Sequence, residues 1–388
     1  MFGWSPVETV KAAPSEEILL QLPNALRQEL LEQLHELPSN PTHLEQLTED
    51  FTSFFDSWDQ RYCATDTSPN WNIEGCGNVW IIVGASTSDS PMVIADFIQD
   101  LADSSYQYKK LPIQSCQYGS RPGNDELRKY LQTQFGHRLP SPDSDRAIAV
   151  IPCLENHFLR NIDGLEGIDY LRDSLLTDTS IFWIIGVGQV AWQYLQAISA
   201  LESYSDHVTH LEKLSGEQLE QWFEAVTTEL DISFKSSSLR AEPSDNDLSW
   251  RTQYFKSLAR ESKGVDAVAV QLFLETLQLR EETAEDNETK EFSEEESPPT
   301  LQAKRPANPS LPNLGGEDVY FLYSFLLHHA LTELQLAQSI GLSLLDVKDK
   351  VQALRKLRLV EQQGDLLRLN PAYYPAVYSR LDGDNFLV

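Results

Sequence analysis

Basic side chains are scarce in this chain: 30 Lys and Arg stand against 59 Asp and Glu over 388 residues, for a formal net charge of -29 and a pI of about 4.5. So acidic a surface repels nucleic acid and anionic membranes in bulk and favours basic partners. Cysteine is scarce as well. Cys63, Cys76, Cys116 and Cys153 lie far apart, with no C-x-x-C pair and no histidine at finger spacing, which argues against a zinc site and a disulfide framework. No run reaches the ~18 apolar residues of a membrane span, and the opening MFGWSPVETVKAAPSEEILL lacks a basic stretch followed by an apolar core. These absences predict a cytoplasmic protein of a reducing compartment. His207, His210, His328 and His329 have no acid or thiol at ligand spacing, and Ser174 and Ser199 sit outside any G-x-S-x-G context. Neither a metal site nor a catalytic constellation is expected.

What is present divides the chain into five parts, in keeping with a length that exceeds one ordinary core. Residues 1–70 read as a helical extension, with Leu44, Leu47, Phe51, Phe54 and Phe55 on one stripe. Residues 71–203 alternate short apolar runs (Val79–Val83, Ala147–Ile151, Ile181–Ile185, and a weaker Tyr106–Ile113) with amphipathic helices at Ser90–Leu101 and Asn124–Gln134. That is the rhythm of an α/β domain with a buried parallel sheet. Residues 204–280 read as a helical lid, with long elements over Gly216–Leu230 and Ser249–Leu279. Residues 281–316, acidic and then rich in proline, read as a flexible linker. Residues 317–388 give helices at Tyr320–Leu327, Thr332–Ile340 and Leu344–Arg358. A hairpin around Gln363-Gly364-Asp365 follows, completing the order of a winged helix.

The segment WIIVGASTSDSPMVIADFI places a small-residue loop between a buried strand and a helix, the setting of a phosphate cradle. Against the template G-x-x-x-x-G-K-[ST], Gly84 fits the first glycine. Asp89 replaces the second, Ser90 replaces the lysine and Pro91 replaces the magnesium ligand. The strand end AIAVIPCLENHFLR carries Pro152 and Cys153 where a metal-holding aspartate is expected, leaving Glu155 as the nearby acid. The strand IFWIIGVGQVAWQYL offers only Gln189 at a sensor position.

With those motifs, the segment LEKLSGEQLEQWF and the Gly264-broken pair YFKSLARESKGVDAVAVQLFLETL, residues 75–385 resemble a degenerate member of the AAA+/STAND group of P-loop ATPases. The resemblance implies nucleotide-gated assembly or signalling on a P-loop NTPase-like α/β fold with a helical lid and an attached winged helix. Because the motif residues are replaced, the expectation is a chain that is not an enzyme: a pseudo-ATPase scaffold or regulatory subunit serving protein partners. No cofactor is expected, and the nucleotide role left open is residual ATP or ADP binding through Gly84, Ser86, Thr87, Ser88 and Ser90. Lys348, Lys350, Arg355, Lys356, Arg358 and Arg368 form a basic face for a partner or for DNA, with DNA disfavoured by Asp346, Asp349, Asp365 and the overall acidity. Two alternatives remain: a nucleotide-dependent transcriptional or signalling ATPase that reads DNA, and a cytosolic accessory subunit of a membrane transporter or channel. Oligomerisation stays open.

Overall fold

The computed structural model describes residues 19–64, 77–103, 113–115, 124–134, 146–234, 247–280 and 301–387. The acidic half of the linker, nearly all of the Tyr106–Ile113 reading and residues 236–246 lie outside the described residues.

In chain order the elements begin with β1 (Leu19–Gln21), α1 (Asn24–His35) and α2 (Pro41–Ala64). The α/β unit follows with β2 (Val79–Gly84), α3 (Ser90–Asp103), β3 (Ile113–Ser115), α4 (Asn124–Gln134), β4 (Ala147–Ile151), α5 (Glu166–Thr177), β5 (Ile181–Gly188), α6 (Gln189–Ser199) and β6 (His207–His210). Next come α7 (Gly216–Trp222), α8 (Glu224–Glu229), β7 (Ser233–Phe234), α9 (Asp247–Ser262), α10 (Asp266–Thr276), β8 (Leu277–Arg280) and β9 (Leu301–Ala303). The chain closes with α11 (Asp318–His328), β10 (Ala330–Leu331), α12 (Glu333–Ile340), α13 (Leu344–Lys356), β11 (Val360–Gln363), β12 (Leu366–Leu369) and α14 (Tyr374–Gly383).

The central sheet has the order β3-β4-β5-β2-β6, every pair parallel. Its inner strands are buried on both faces, which is why VWIIVG and IFWIIGVG run apolar without alternation. The chain is thus α/β with a parallel sheet and covering helices, as the sequence rhythm implies. One face carries α2 and α3, whose Leu47, Phe51, Phe55, Trp58, Val93 and Phe97 meet Trp80, Ile82, Phe182 and Ile184. The other carries α4, α5 and α6 against Val79, Ile81, Trp183 and Ile185. In α2 the buried side chains recur at steps of four, four and three, one stripe of a helix. Each such side chain contributes roughly 1.5–3 kcal/mol by leaving water.

Three readings of the sequence need correction. The strand β6 belongs to the central sheet, so the α/β unit runs past residue 203. A second sheet, order β1-β8-β9-β7, draws its strands from the expected extension, lid and linker. Residues 301–303 are therefore not linker: Leu301, Gln302 and Ala303 are buried between β8 and β7. Strands of two to four residues bury too few side chains to leave a period-2 pattern, and only pairing reveals them. The Gly216–Leu230 helix is divided at Phe223, whose ring packs on Phe273 at 4.7 Å.

The segment LSGEQLEQWF owes its form to local chemistry. Ser215 caps α7 in a capping box with Gln218, and the Trp222 indole donates to the Pro38 carbonyl at 2.9 Å. In the C-terminal unit Thr332 and Gln335 form a second capping box, Gly341 closes α12 at φ +80°, and Ser343 caps α13. The apolar ending docks on its own unit, with the Phe386 ring 5.2 Å from Tyr320. Among the described residues no helix is long and apolar enough to cross a membrane.

Candidate functional site

After β2 the chain passes to α3 on one face, and after β5 to α6 on the other, so the loops at these adjacent carboxyl ends diverge. Open α/β sheets bind ligands in the crevice such a divergence creates. The β2–α3 loop, Ala85–Asp89, lies there.

This loop is folded onto itself and onto its neighbours. The Ser88 N–H donates to the Ala85 carbonyl at 2.9 Å, and the Ser90 N–H to Ser88 Oγ at 3.3 Å. A Cβ on Gly84 would lie 2.6 Å from Ser90 Oγ and 2.8 Å from Ser88 Oγ, so only glycine leaves both hydroxyls room to turn inward. Ser86, 1% exposed, accepts the Val190 N–H at 3.1 Å and ties the loop to α6. Its backbone is held from the C-terminal unit: His329 Nδ1 donates to the Ser86 carbonyl at 3.1 Å, and the Ser86 backbone hydrogen-bonds the Tyr374 hydroxyl. Burial pushes the Tyr374 phenol well above its ordinary range. Thr87 is buried and its hydroxyl has no partner among the described residues.

The Asp89 N–H is also taken, by the carboxylate of Asp266 at the start of α10. Asp266 is 3% exposed and accepts the Ala267 N–H at 2.7 Å. Burial, and then the charge of Asp89, push its carboxyl up to about 7, against the pull of its backbone hydrogen bonds. Gly264 places this helix start: at φ +72° its carbonyl accepts the Leu214 N–H at 2.9 Å, and a Cβ there would meet Leu214 N at 2.8 Å.

A cavity of about 390 Å³ opens beside the loop. Val83, Gly84, Ala85 and Ser88 line it from β2 and the loop, His210–Lys213 from the end of β6, Lys263–Asp266 from the turn into α10, and Tyr374, Pro375, Tyr378 and Ser379 from α14. The helix α2 supplies His43. Its Nε2 donates to the Glu212 carbonyl at 2.9 Å, while Gln46 pairs with the His210 carbonyl and the Glu212 N–H at 3.0 and 3.1 Å. His43 is 3% exposed, and burial lowers its pKa more than Glu212 raises it. The lowered pKa favours the neutral ring with its proton on Nε2, and the buried Nδ1, without a partner among the described residues, is an acceptor.

The residues singled out from the sequence fall into place unevenly. Gly84 and Ser88 line the cavity, whereas Ser86 and Ser90 spend their hydroxyls inside the loop region. Gln189 also lines the cavity and its Nε2 donates to the Tyr378 hydroxyl at 3.3 Å. Glu155 faces elsewhere: its Oε1 accepts the Gly188 N–H at 3.0 Å and pins the β5–α6 junction. On the basic face Lys350 pairs with Asp318 at 2.6 Å, Arg368 with Glu361 at 3.3 Å and Lys348 with Glu333 at 3.9 Å. Arg355, Lys356 and Arg358 are exposed. The contributions of His43, Asp266, Tyr374 and Tyr378 were missed. Sequence spacing carries no signal that joins α2, α10 and α14 at one loop.

No family model matches the chain, and no curated protein matches it. Solved structures similar to it include Thermotoga maritima RuvB, at 10% identity over 84% of this chain and 93% of that one, TM-score 0.33. Aeropyrum pernix ORC2 in ADPNP-ADP complexes shares 11% identity over 79% and 87%, TM-score 0.30. The E. coli HORMA:CdnC:Trip13 complex shares 10% over 63% and 80%, TM-score 0.32. The expectation that this chain is not an enzyme is corrected here. These neighbours are described as RuvB, ORC2 with ADPNP and ADP, and a Trip13 complex, and the expectation rested on replaced loop residues alone, which do not establish an absence of activity.

Proposed function

We propose that this chain is an AAA+-type regulatory or assembly subunit with a purine-ligand pocket beside the β2–α3 loop, roofed by a C-terminal winged helix, and that it acts on protein partners. The observation that carries this reading is the double hold of the C-terminal unit on Ser86, through His329 and Tyr374. A ligand in the cavity touches the loop, the helical lid and α14 together, so its binding energy is shared among units that a partner contacts elsewhere. The acidity of the chain, net charge -29, favours basic surfaces on that partner.

The test is a thermal melt of the full chain with adenosine, ADP and ATP, each with and without Mg²⁺. At least one purine ligand is expected to raise the melting temperature, by mass action on the folded state. No shift with any of them would remove the purine pocket from the account.

The ion pairs of Lys348, Lys350 and Arg368 weaken the alternative of a DNA-reading unit, since a paired cation releases few counterions from a phosphate backbone. A gel shift at low salt with random duplex DNA is expected to be absent or unchanged in a K348A/K350A variant. A salt-sensitive shift abolished by that variant would favour DNA.

A further inference from the structure

The inner faces of α12 and α13 are filled without their outer leucines. Leu336, Val347, Val351 and Leu354 are buried, whereas Leu334, Leu342, Leu344 and Leu345 stand in water among the described residues. Leu345 is 69% exposed and Leu334 57%. One exposed leucine is ordinary, but four within twelve residues of a helix-turn-helix make an apolar patch of the kind that marks an interaction surface. Met92, Ile162, Leu176 and Ile198, exposed on the α/β unit, are by contrast scattered along the chain.

The patch is stiff. Gly341 closes α12 in the left-handed region, the Leu342 N–H donates to the Ala337 carbonyl at 3.2 Å, and Ser343 Oγ accepts the Asp346 N–H at 3.2 Å. The turn that carries Leu342 is thus fixed at both ends. The pairing of Lys348 with Glu333 at 3.9 Å brings the start of α12, and Leu334 with it, beside the outer face of α13. A surface ordered before it meets its partner loses little entropy on binding.

Charge selects what covers it. Over residues 344–358 five Lys and Arg stand against two Asp, within a chain of net charge -29. Lys356 follows Leu345 by eleven residues, three full turns, and so shares its face about 16 Å further along α13. Arg355, Lys356 and Arg358 are all exposed there. The whole C-terminal unit, residues 317–388, has nine Asp and Glu against seven Lys and Arg, so nearly all of the excess negative charge lies outside it. Salt screens that distant charge beyond about 8 Å, and the local cations act at contact. A second copy would add -29 to -29, and an anionic membrane meets the same repulsion. A DNA-reading helix sets polar side chains at the end where α13 carries leucines, which offer base edges no hydrogen bond.

We propose that the outer face of α12 and α13 docks an acidic amphipathic segment of a partner protein, with its apolar side chains over Leu334, Leu342, Leu344 and Leu345 and its carboxylates against Arg355, Lys356 and Arg358. This rests on the protein-partner reading above and names the surface and the chemistry that fits it.

Fluorescence anisotropy with the full chain tests it. The probe is a fluorescein-labelled synthetic helix with leucines on one face of its first two turns and glutamates in its last two, and its analogues carry glutamine or lysine in place of glutamate. The acidic probe is expected to bind saturably, at least ten-fold more tightly than either analogue, and to weaken as salt is raised. Leu334→Ala with Leu345→Ala, and separately Arg355→Glu with Lys356→Glu, are each expected to weaken it at least ten-fold. All four side chains are exposed, so circular dichroism and the melting temperature are expected to stay unchanged. A lysine analogue that binds as tightly, or acidic-probe binding indifferent to both variants, overturns the inference while keeping a protein partner. Binding of none of the three overturns both. A dimer in light scattering that Leu345→Glu dissociates puts a second copy on the patch, and flotation with phosphatidylserine vesicles puts a membrane there; either result also overturns the inference.

Discussion

Phe51→Ala is expected to destabilise the α/β unit by about 3–5 kcal/mol, the range for truncating a buried aromatic. Its ring lies 5.1–6.2 Å from those of Phe55, Phe97, Phe182 and Trp80, and only 2% of the residue is exposed. The rings around it come from α2, β2, α3 and β5, so the cavity left behind is walled by four elements that cannot all relax into it. In a thermal melt this corresponds to a fall on the order of 10 °C in the first transition. The size of the effect separates two views of α2. As an appended extension it would unfold alone and leave the sheet's transition unchanged. As the layer that closes one face of the sheet it carries the sheet down with it, and the packing requires the second outcome.

Tyr374→Ala is the other large effect. This side chain is 5% exposed, belongs to the core shared with the α/β unit, and lines the cavity. Truncation is expected to cost about 3–5 kcal/mol, on the scale of other buried aromatic deletions. It also releases the Ser86 backbone from the C-terminal unit. Tyr374→Phe separates the two contributions. It keeps the ring and removes the hydroxyl, leaving a buried polar group unsatisfied at a cost of about 1–3 kcal/mol. Urea unfolding followed by tryptophan fluorescence reads both. Equal losses in the two variants would mean that the ring packs nothing of consequence. A negligible loss in Tyr374→Phe would mean that the contact to Ser86 is idle.

How far the sequence carried follows from what each element buries. The strands β2, β4 and β5 were legible because full burial on two faces leaves unbroken β-branched runs, and α3 and α4 because one buried stripe leaves a helical period. The C-terminal hairpin was legible through Gly364, which adopts φ +60° at the turn. By contrast β1, β7, β8 and β9 form a sheet from segments far apart in sequence, and no local pattern announces it. The helix α14 was missed because Pro371 and Pro375 suggest a loop, whereas each stands at the first or second residue of a helical turn, where proline is tolerated.

The phosphate-like loop was readable as a sequence of replacements, but what replaced the lost groups was not. Ser90 in place of a lysine reads as a deletion of charge; in the fold its hydroxyl turns in over Gly84. Asp89 reads as a repulsive acid, yet its backbone N–H is what anchors Asp266. Asp266 itself lies 177 residues from Asp89, inside a helical pair that sequence marks only by Gly264. Long-range closure of this kind depends on three-dimensional paths, and spacing rules address neighbours along one element.

The Ser86, Ser88 and Asp89 N–H groups of the loop are already satisfied by the chain. Residue-resolved amide hydrogen exchange on the ligand-free protein tests this most directly, because an open cradle presents its amides to water and a filled one protects them. The account predicts slow exchange at Ser86, Ser88 and Asp89, with Ser86 becoming fast in Tyr374→Phe and Asp89 remaining slow there. Exchange at Ser86 and Asp89 at the rate of an unprotected peptide, in a protein otherwise folded, would contradict it.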